Sequence, residues 1–169
     1  MDSDEYDKYI QIFKYKKEIE KIESYIGQHT GMITLIIPEK KQTYQIISTL
    51  ENEYNTANNI KSRVNRDAVQ KSIMTIINKI KLYNKIPFSG LAFFCGYVGD
   101  VNNLTQVIHI IEPPKPIDRY SYFCDNKFHT EILHKLIEEN DVFGFLIMNG
   151  DGYMIATVSG QKKTILYLV

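Results

Sequence analysis

The sequence predicts an α+β fold in which an antiparallel β-sheet is flanked by helices and followed by an incomplete β-meander, and three observations carry that expectation. Stretches in the first half of the chain repeat apolar side chains at steps of three and four, the helical period. Between Met32 and Asn126 short β-branched and aromatic runs stand apart from these stretches, bounded by Gly, Pro and Asn. From Val142 onward the chain consists of such runs joined by tight turns. A length of 169 residues with 44% hydrophobic side chains is enough for a packed core.

Taken in order, Ile12, Tyr15, Ile19, Ile22 and Ile26 form the first helical stripe, and Gly27 stands where a helix end favours one. MITLIIPE (32–39) is too short and too β-branched for a helix and is stopped by Pro38. Tyr44, Ile47, Leu50 and Tyr54 mark a second helix, and Val69, Ile73, Ile76, Ile80 and Tyr83 a third. NKIPFSG (84–90) is a turn into two strands, LAFFCGYV (91–98) and LTQVIHII (104–111), the second of which EPPKP terminates. YSYFCDN (120–126) reads as a further short strand, and FHTEILHKLIEEN (128–140) as a helix with Ile132, Leu133 and Leu136 inward.

A boundary is expected near Asn140, because VFGFLIMN (142–149), YMIATV (153–158) and TILYLV (164–169) are consecutive strands joined by GDG and SGQKK. In VFGFLIMN both alternating sets, Phe143, Phe145 and Ile147 against Val142, Leu146 and Met148, are apolar, so both faces require a cover.

Charge and cysteine content narrow the function. Lys and Arg number 20, as do Asp and Glu, so attraction to nucleic acid must come from local clustering. Cys95 and Cys124 are the sole cysteines, no apolar run has signal-peptide or membrane-span length, and the start MDSDEYDKY is acidic. The expectation is a reducing, cytoplasmic setting with free thiols and no membrane partner.

The clustering is found at TANNIKSRVNR (56–66), where Lys61, Arg63 and Arg66 are interleaved with Asn58, Asn59, Ser62 and Asn65 at the turn between the second and third helices. A helix start leaves backbone N–H groups unpaired and carries partial positive charge, so this turn suits phosphates or base carbonyls. Asn59 offers donors and an acceptor to a base edge, and Lys61 donates to a carbonyl oxygen such as that of uracil. The alternative is that Asn and Ser cap the helix and the cations form a solvated face.

TANNIKSRVNR resembles the signature of the eukaryotic class-1 peptide-chain release factors, whose decoding domain carries the tetrapeptide NIKS, here Asn59, Ile60, Lys61 and Ser62. A second family motif, Y-x-C-x-x-x-F, falls at Tyr122, Cys124 and Phe128, and MITLIIP, KLYNK and the GFLIMNGDG region match as well. The similarity runs in order over essentially the whole chain. It implies a stop-codon recognition domain over 1–140 and the first strands of an incomplete middle domain over 141–169. The implied partners are the ribosomal A site, the messenger RNA stop codon and ribosomal RNA, with a class-2 release-factor GTPase only where further domains are present.

The resemblance also implies roles. Asn59 and Lys61 address the uridine edge within NIKS, and Glu53, at an acidic position before the loop, accepts from exocyclic amines. Tyr122 orients that carboxylate through its hydroxyl, while Cys124 and Phe128 shape and support the pocket; Phe128 reads more readily as core than as a stacking platform, and Cys124 as a small buried residue. Arg63 and Arg66 are phosphate or ribosomal RNA contacts, which position without discriminating. Lys61 matches a hydroxylation site of the family. No cofactor, metal or catalytic residue is implied.

Three departures stand out. The family has Gly-Thr-Ser before its first strand; here the place reads His29, Thr30, Gly31, so Thr30 alone is carried over, and Asn58 stands for a serine just before NIKS. Both bear on which stop codons are read. The family's Gly-Gly-Gln tripeptide, which promotes peptidyl-tRNA hydrolysis, does not occur in these 169 residues, and SGQ (159–161) is a turn without its context. As written, the chain is expected to bind a stop codon without releasing a peptide, as a truncated product that is a fragment, the product of a broken gene, or a frame completed by readthrough or frameshifting.

Other constellations are weaker. His129 and His134 are five apart on the expected helix and diverge, so with Cys124 they do not assemble a zinc site. NGDG (149–152) lacks the spaced acids of a calcium loop and reads as a hairpin turn. The competing functions are a ribosome-rescue relative, a stop-codon-binding competitor without release activity, and a small α/β enzyme; rescue factors lack both motifs, and no convergent catalytic set favours an enzyme.

Overall fold

The computed structural model describes residues 3–27, 31–100, 103–137, 142–150, 152–159 and 162–168. The chain divides into two compact units, Met1–Ile137 and Glu138–Val169.

The first unit is a sheet covered on both sides. Its strands are β1 (Met32–Ile37), β2 (Leu91–Val98), β3 (Thr105–Ile111) and β4 (Ser121–Asp125), all antiparallel in the order β3-β2-β1-β4. β1 is central and every residue in it is buried. Its alternation divides the core: Ile33, Leu35 and Ile37 join the cluster with α2 (Thr43–Thr56) and α3 (Arg63–Ile80), whereas Met32 and Ile36 join that with α1 (Ser3–Glu23) and α4 (Glu131–Ile137). A continuous apolar run was therefore needed, because neither face of β1 meets water.

Helical stripes follow the expected spacing with local differences. Tyr15, Ile19 and Ile22 are buried, but α1 stops at Glu23 and Ile26 is 80% exposed. Gly27 is not a helix end; it bridges to Val98, and a Cβ there would lie 2.5 Å from Met32 Cγ and 3.0 Å from the Asn126 carbonyl oxygen. The glycine is required by close packing rather than by helix termination. On α2 the buried positions are Ile46 and Leu50, and Tyr44 is exposed. α4 begins at Glu131 rather than at Phe128, since the preceding residues are held by tertiary bonds: the His129 N–H donates to Thr34 Oγ1 at 2.9 Å.

Several polar groups on the α1/α4 side are paired with one another, although the buried Tyr15 hydroxyl has no hydrogen-bond partner. Glu23 accepts from the Thr130 hydroxyl and lies 2.6 Å from His134 Nε2, joining the end of α1 to α4. Burial raises the Glu23 carboxyl, but the bonds to Thr130 and His134 and the His134 charge outweigh it and leave it below its ordinary value. His129 stands 3.1 Å from Asp125 Oδ2 and stacks on Phe123 with ring centroids 4.4 Å apart. Among the described residues no group of three His, Cys, Asp or Glu converges as a metal site, and no helix is long and apolar enough to cross a membrane.

The second unit is a meander of β5 (Val142–Asn149), β6 (Gly152–Ser159) and β7 (Lys162–Leu168), in that order. Asn149 Oδ1 accepts from the Gly152 N–H at 3.0 Å where the first hairpin turns. Phe143, Phe145 and Ile147 on one face and Leu146 and Met148 on the other are all exposed.

Candidate nucleic-acid interface

The connection between α2 and α3 is short and fixed at both ends. α2 tightens into a 3-10 turn, Ala57–Asn59, in which the Ile60 N–H donates to the Ala57 carbonyl at 3.0 Å. Ala57 is buried and Ile60 packs against the α2/α3 core, so the turn is seated from below. Ser62 then caps α3: its backbone is extended, with φ −71° and ψ 117°, and its hydroxyl accepts from the Asn65 N–H at 3.4 Å. Lys61 stands exposed between the seated Ile60 and the cap, with Asn59 exposed on the other side. The side chains that face solvent are thus carried on backbone whose conformation is already spent, which lowers the ordering cost of binding.

The electrostatics of this start are unusual for a helix. The first turn of α3 carries no acidic residue and instead holds Arg63 and Arg66, although the helix N-terminus is positive and disfavours cations by about 0.3–1 kcal/mol each. The nearest offset is Asp67 Oδ2, 3.9 Å from Arg63 Nε in a solvent-exposed pair of little strength. A potential built up at local cost in this way favours anions.

A second group of side chains faces the same layer from β4. Cys124 lies opposite Ile33 and Tyr122 opposite Leu35, which places both on the α2/α3 side of the sheet. Glu53 on α2 acts electrostatically on Tyr120, Tyr122 and Cys124 together. Burial, helped by the Glu53 charge, pushes the Tyr120 phenol up to about 12. Tyr122 is driven upward by burial and then by the charges of Cys124, Glu53 and Tyr120. Cys124 is exposed at the sheet edge, yet crowding by surrounding protein and the Glu53 charge push its thiol up to about 11 against a hydrogen bond with Tyr122. One carboxylate charge thus acts on three protonated groups of β4 and its approach, and the buried Tyr120 hydroxyl has no hydrogen-bond partner. Lys41 adds a cation 5.2 Å from the centre of the Tyr120 ring.

This arrangement alters two expected roles. The Tyr122 hydrogen bond is made with Cys124 and not with Glu53, so the tyrosine shapes the carboxylate's surroundings through field and packing. Phe128 is 4% exposed and belongs to the α1/α4 cluster, edge-on to Phe94 at 5.6 Å, on the opposite side of the sheet from Tyr122 and Cys124. It supports the sheet from behind and presents no face to a base. Thr30 lies outside the described residues, as does His29. Gly31 is buried, and a Cβ there would lie 3.6 Å from Asn65 Oδ1, so the start of β1 abuts the first turns of α3.

Tyr120 escaped sequence reasoning, although the period of two that joins Tyr120, Tyr122 and Cys124 would have found it. The field between Glu53 and Cys124 is directly measurable. Replacing Glu53 by Gln removes a negative charge that disfavours the thiolate, so alkylation of Cys124 by iodoacetamide at neutral pH is expected to accelerate about threefold. Cys95, fully buried, stays unreactive in both proteins. An unchanged rate, followed by peptide mass spectrometry, contradicts the proximity.

The family model described as eRF1 domain 1 matches residues 10–138. The chain belongs to the eukaryotic release factor 1 family. It is 45% identical over 162 residues to eukaryotic peptide chain release factor subunit 1 of Giardia intestinalis, covering 96% of this chain and 35% of that protein. Against the subunit 1 protein of Saccharomyces cerevisiae it is 44% identical over 164 residues, covering 96% and 38%. The chain therefore spans little more than a third of these release factors. Its fold is similar to that of the archaeal translation termination factor aRF1, with a TM-score of 0.70 at 23% identity, covering 94% of this chain and 44% of that one. The first unit is a release-factor N-terminal domain of the translation termination family.

Proposed function

We propose that this release-factor chain recognises messenger RNA stop codons in the ribosomal A site, with Lys61 and Asn59 addressing the leading uridine. The observation that carries the proposal is the exposed Lys61 held between the seated Ile60 and the Ser62 cap, beside a helix start whose cations lack an acidic counterpart in the first turn. Glu53, whose charge acts on Tyr120, Tyr122 and Cys124, is suited to accept from the exocyclic amines of the following purines. Arg63 and Arg66 contact phosphates of messenger or ribosomal RNA and set register. Phe128 acts by supporting the sheet, and Thr30 is assigned by its motif alone. Lys61, exposed, is also the candidate for hydroxylation. The proposal assigns binding to these residues and no bond cleavage, and a class-2 GTPase is a partner only where further domains are present. The place of action is the cytoplasm.

The test is the affinity of the chain for ribosomes whose A site displays UAA or CAA. The expected result is a preference for UAA of about tenfold or more, the discrimination one directional base contact provides. Equal affinity for the two codons refutes the reading. Separate measurements with UAG and UGA establish how the His29-Thr30-Gly31 and Asn58 departures affect the purine positions.

A further inference from the structure

Gln70 lies on α3 about two turns beyond the Ser62 cap. Its carboxamide nitrogen carries two hydrogens and faces two acceptors, Asn58 Oδ1 at 3.0 Å and the Tyr54 carbonyl oxygen at 3.3 Å. The first acceptor belongs to the 3-10 turn, the second to the end of α2, where a helix leaves carbonyls without intrahelical partners. One side chain on α3 thus holds both the end of α2 and the turn that leads into the exposed tip. The Asn58 side chain reaches because its carbonyl oxygen lies one bond farther from the backbone than a serine hydroxyl would.

Resting on the decoding reading above, we propose that Gln70, acting through Asn58, is a positioning residue that sets the angle at which Asn59 and Lys61 stand out from α3, and with it the discrimination of the first codon base. Between Asn58 and the Ser62 cap the chain has three residues, and Ile60 among them is partly buried against the α2/α3 core. Rotation of the 3-10 turn is therefore transmitted to Lys61 with little slack. A directional bond to a base edge loses strength when its donor is displaced, whereas phosphate attraction tolerates displacement. The clamp accordingly governs selectivity more than overall binding. It also gives Asn58 a use that a serine at the same place would not have.

The experiment uses the full chain and the variants Gln70→Leu, Asn58→Ser and Asn58→Asp. Two quantities are read: hydrogen exchange at the Ile60 amide, which is bonded within the turn, and the ratio of crosslinking to uridine-first over cytidine-first codons on ribosomes. Gln70→Leu and Asn58→Ser are each expected to speed Ile60 exchange and lower the ratio by about fivefold, the worth of a net hydrogen bond. Exchange at Ile76, in the core of α3, stays as in the wild type. Asn58→Asp keeps the acceptor and keeps both readouts, and the Gln70→Leu/Asn58→Ser double variant is no worse than Gln70→Leu alone. The proposal is overturned if Gln70→Leu changes neither readout, or if Asn58→Asp lowers the ratio as far as Asn58→Ser. Should Gln70→Leu also speed exchange at Ile76, the Asn58 pair, at an exposed position, decides alone. A Lys61→Ala variant that keeps the codon ratio sinks the decoding reading, while Ile60 exchange still reports whether the clamp holds the turn.

Discussion

Lys61→Ala is expected to abolish most of the preference for a uridine-first codon while leaving the melting temperature unchanged. Lys61 is exposed and bears no part of the core, so its removal costs the fold nothing beyond the ordinary surface range of about 0.5 kcal/mol. A single directional contact to a base edge is worth about 1–3 kcal/mol of discrimination, or roughly tenfold to a hundredfold in relative affinity. Lys61→Arg retains charge but replaces a compact three-donor ammonium by a planar fork, and partial loss is expected. Arg63→Ala and Arg66→Ala form the contrast: they weaken binding to uridine-first and cytidine-first codons alike and flatten the salt dependence, because phosphate contacts carry no base information. The measurement is competition binding to programmed ribosomes at two salt concentrations, beside thermal unfolding. A Lys61→Ala chain that still prefers UAA over CAA contradicts the mechanism.

Phe128→Ala is expected to have the largest effect on stability of any of the motif residues. The ring is 4% exposed and wedged edge-on against Phe94 at 5.6 Å and Tyr25 at 6.4 Å, and truncation leaves a cavity behind the sheet. Substitutions of this kind cost about 3–5 kcal/mol, which for a chain of this size lowers the melting temperature by roughly 10 °C. Phe128→Leu fills most of the volume and costs less. If Phe128→Ala instead keeps full thermal stability and loses codon binding, the ring is a stacking platform after all and its burial here misstates its use. Of the Y-x-C-x-x-x-F residues, then, Tyr122 and Cys124 lie on the α2/α3 side of the sheet and Phe128 in the α1/α4 core. The motif combines two kinds of constraint because β4 ends at Asp125 and the alternation that aligns Tyr122 with Cys124 does not extend to Phe128.

How far each feature was legible follows from the range of the forces involved. The cap at Ser62, the tip at Lys61 and the stripe of α3 are local, and the spacing of polar and apolar residues was enough to find them. Gly27 misled because a glycine near a helix end has two common uses, and the one it serves depends on Met32 and Asn126 arriving beside it. The Glu53 neighbourhood was assembled by analogy with a family; the groups its charge acts on include Tyr120, whose ring in turn carries Lys41. Gln70 had no signal, since its two acceptors lie 12 and 16 residues away in the chain.

By itself the sequence determined the helices, the strands and the composition of the exposed tip, since capping, periodicity and turn chemistry act over a few residues. Only the tertiary structure decided which side of the sheet each motif residue faces, which hydroxyl and thiol feel the Glu53 charge, and what holds the tip in place. Those depend on strand register and on side chains meeting through space, and sequence spacing carries neither.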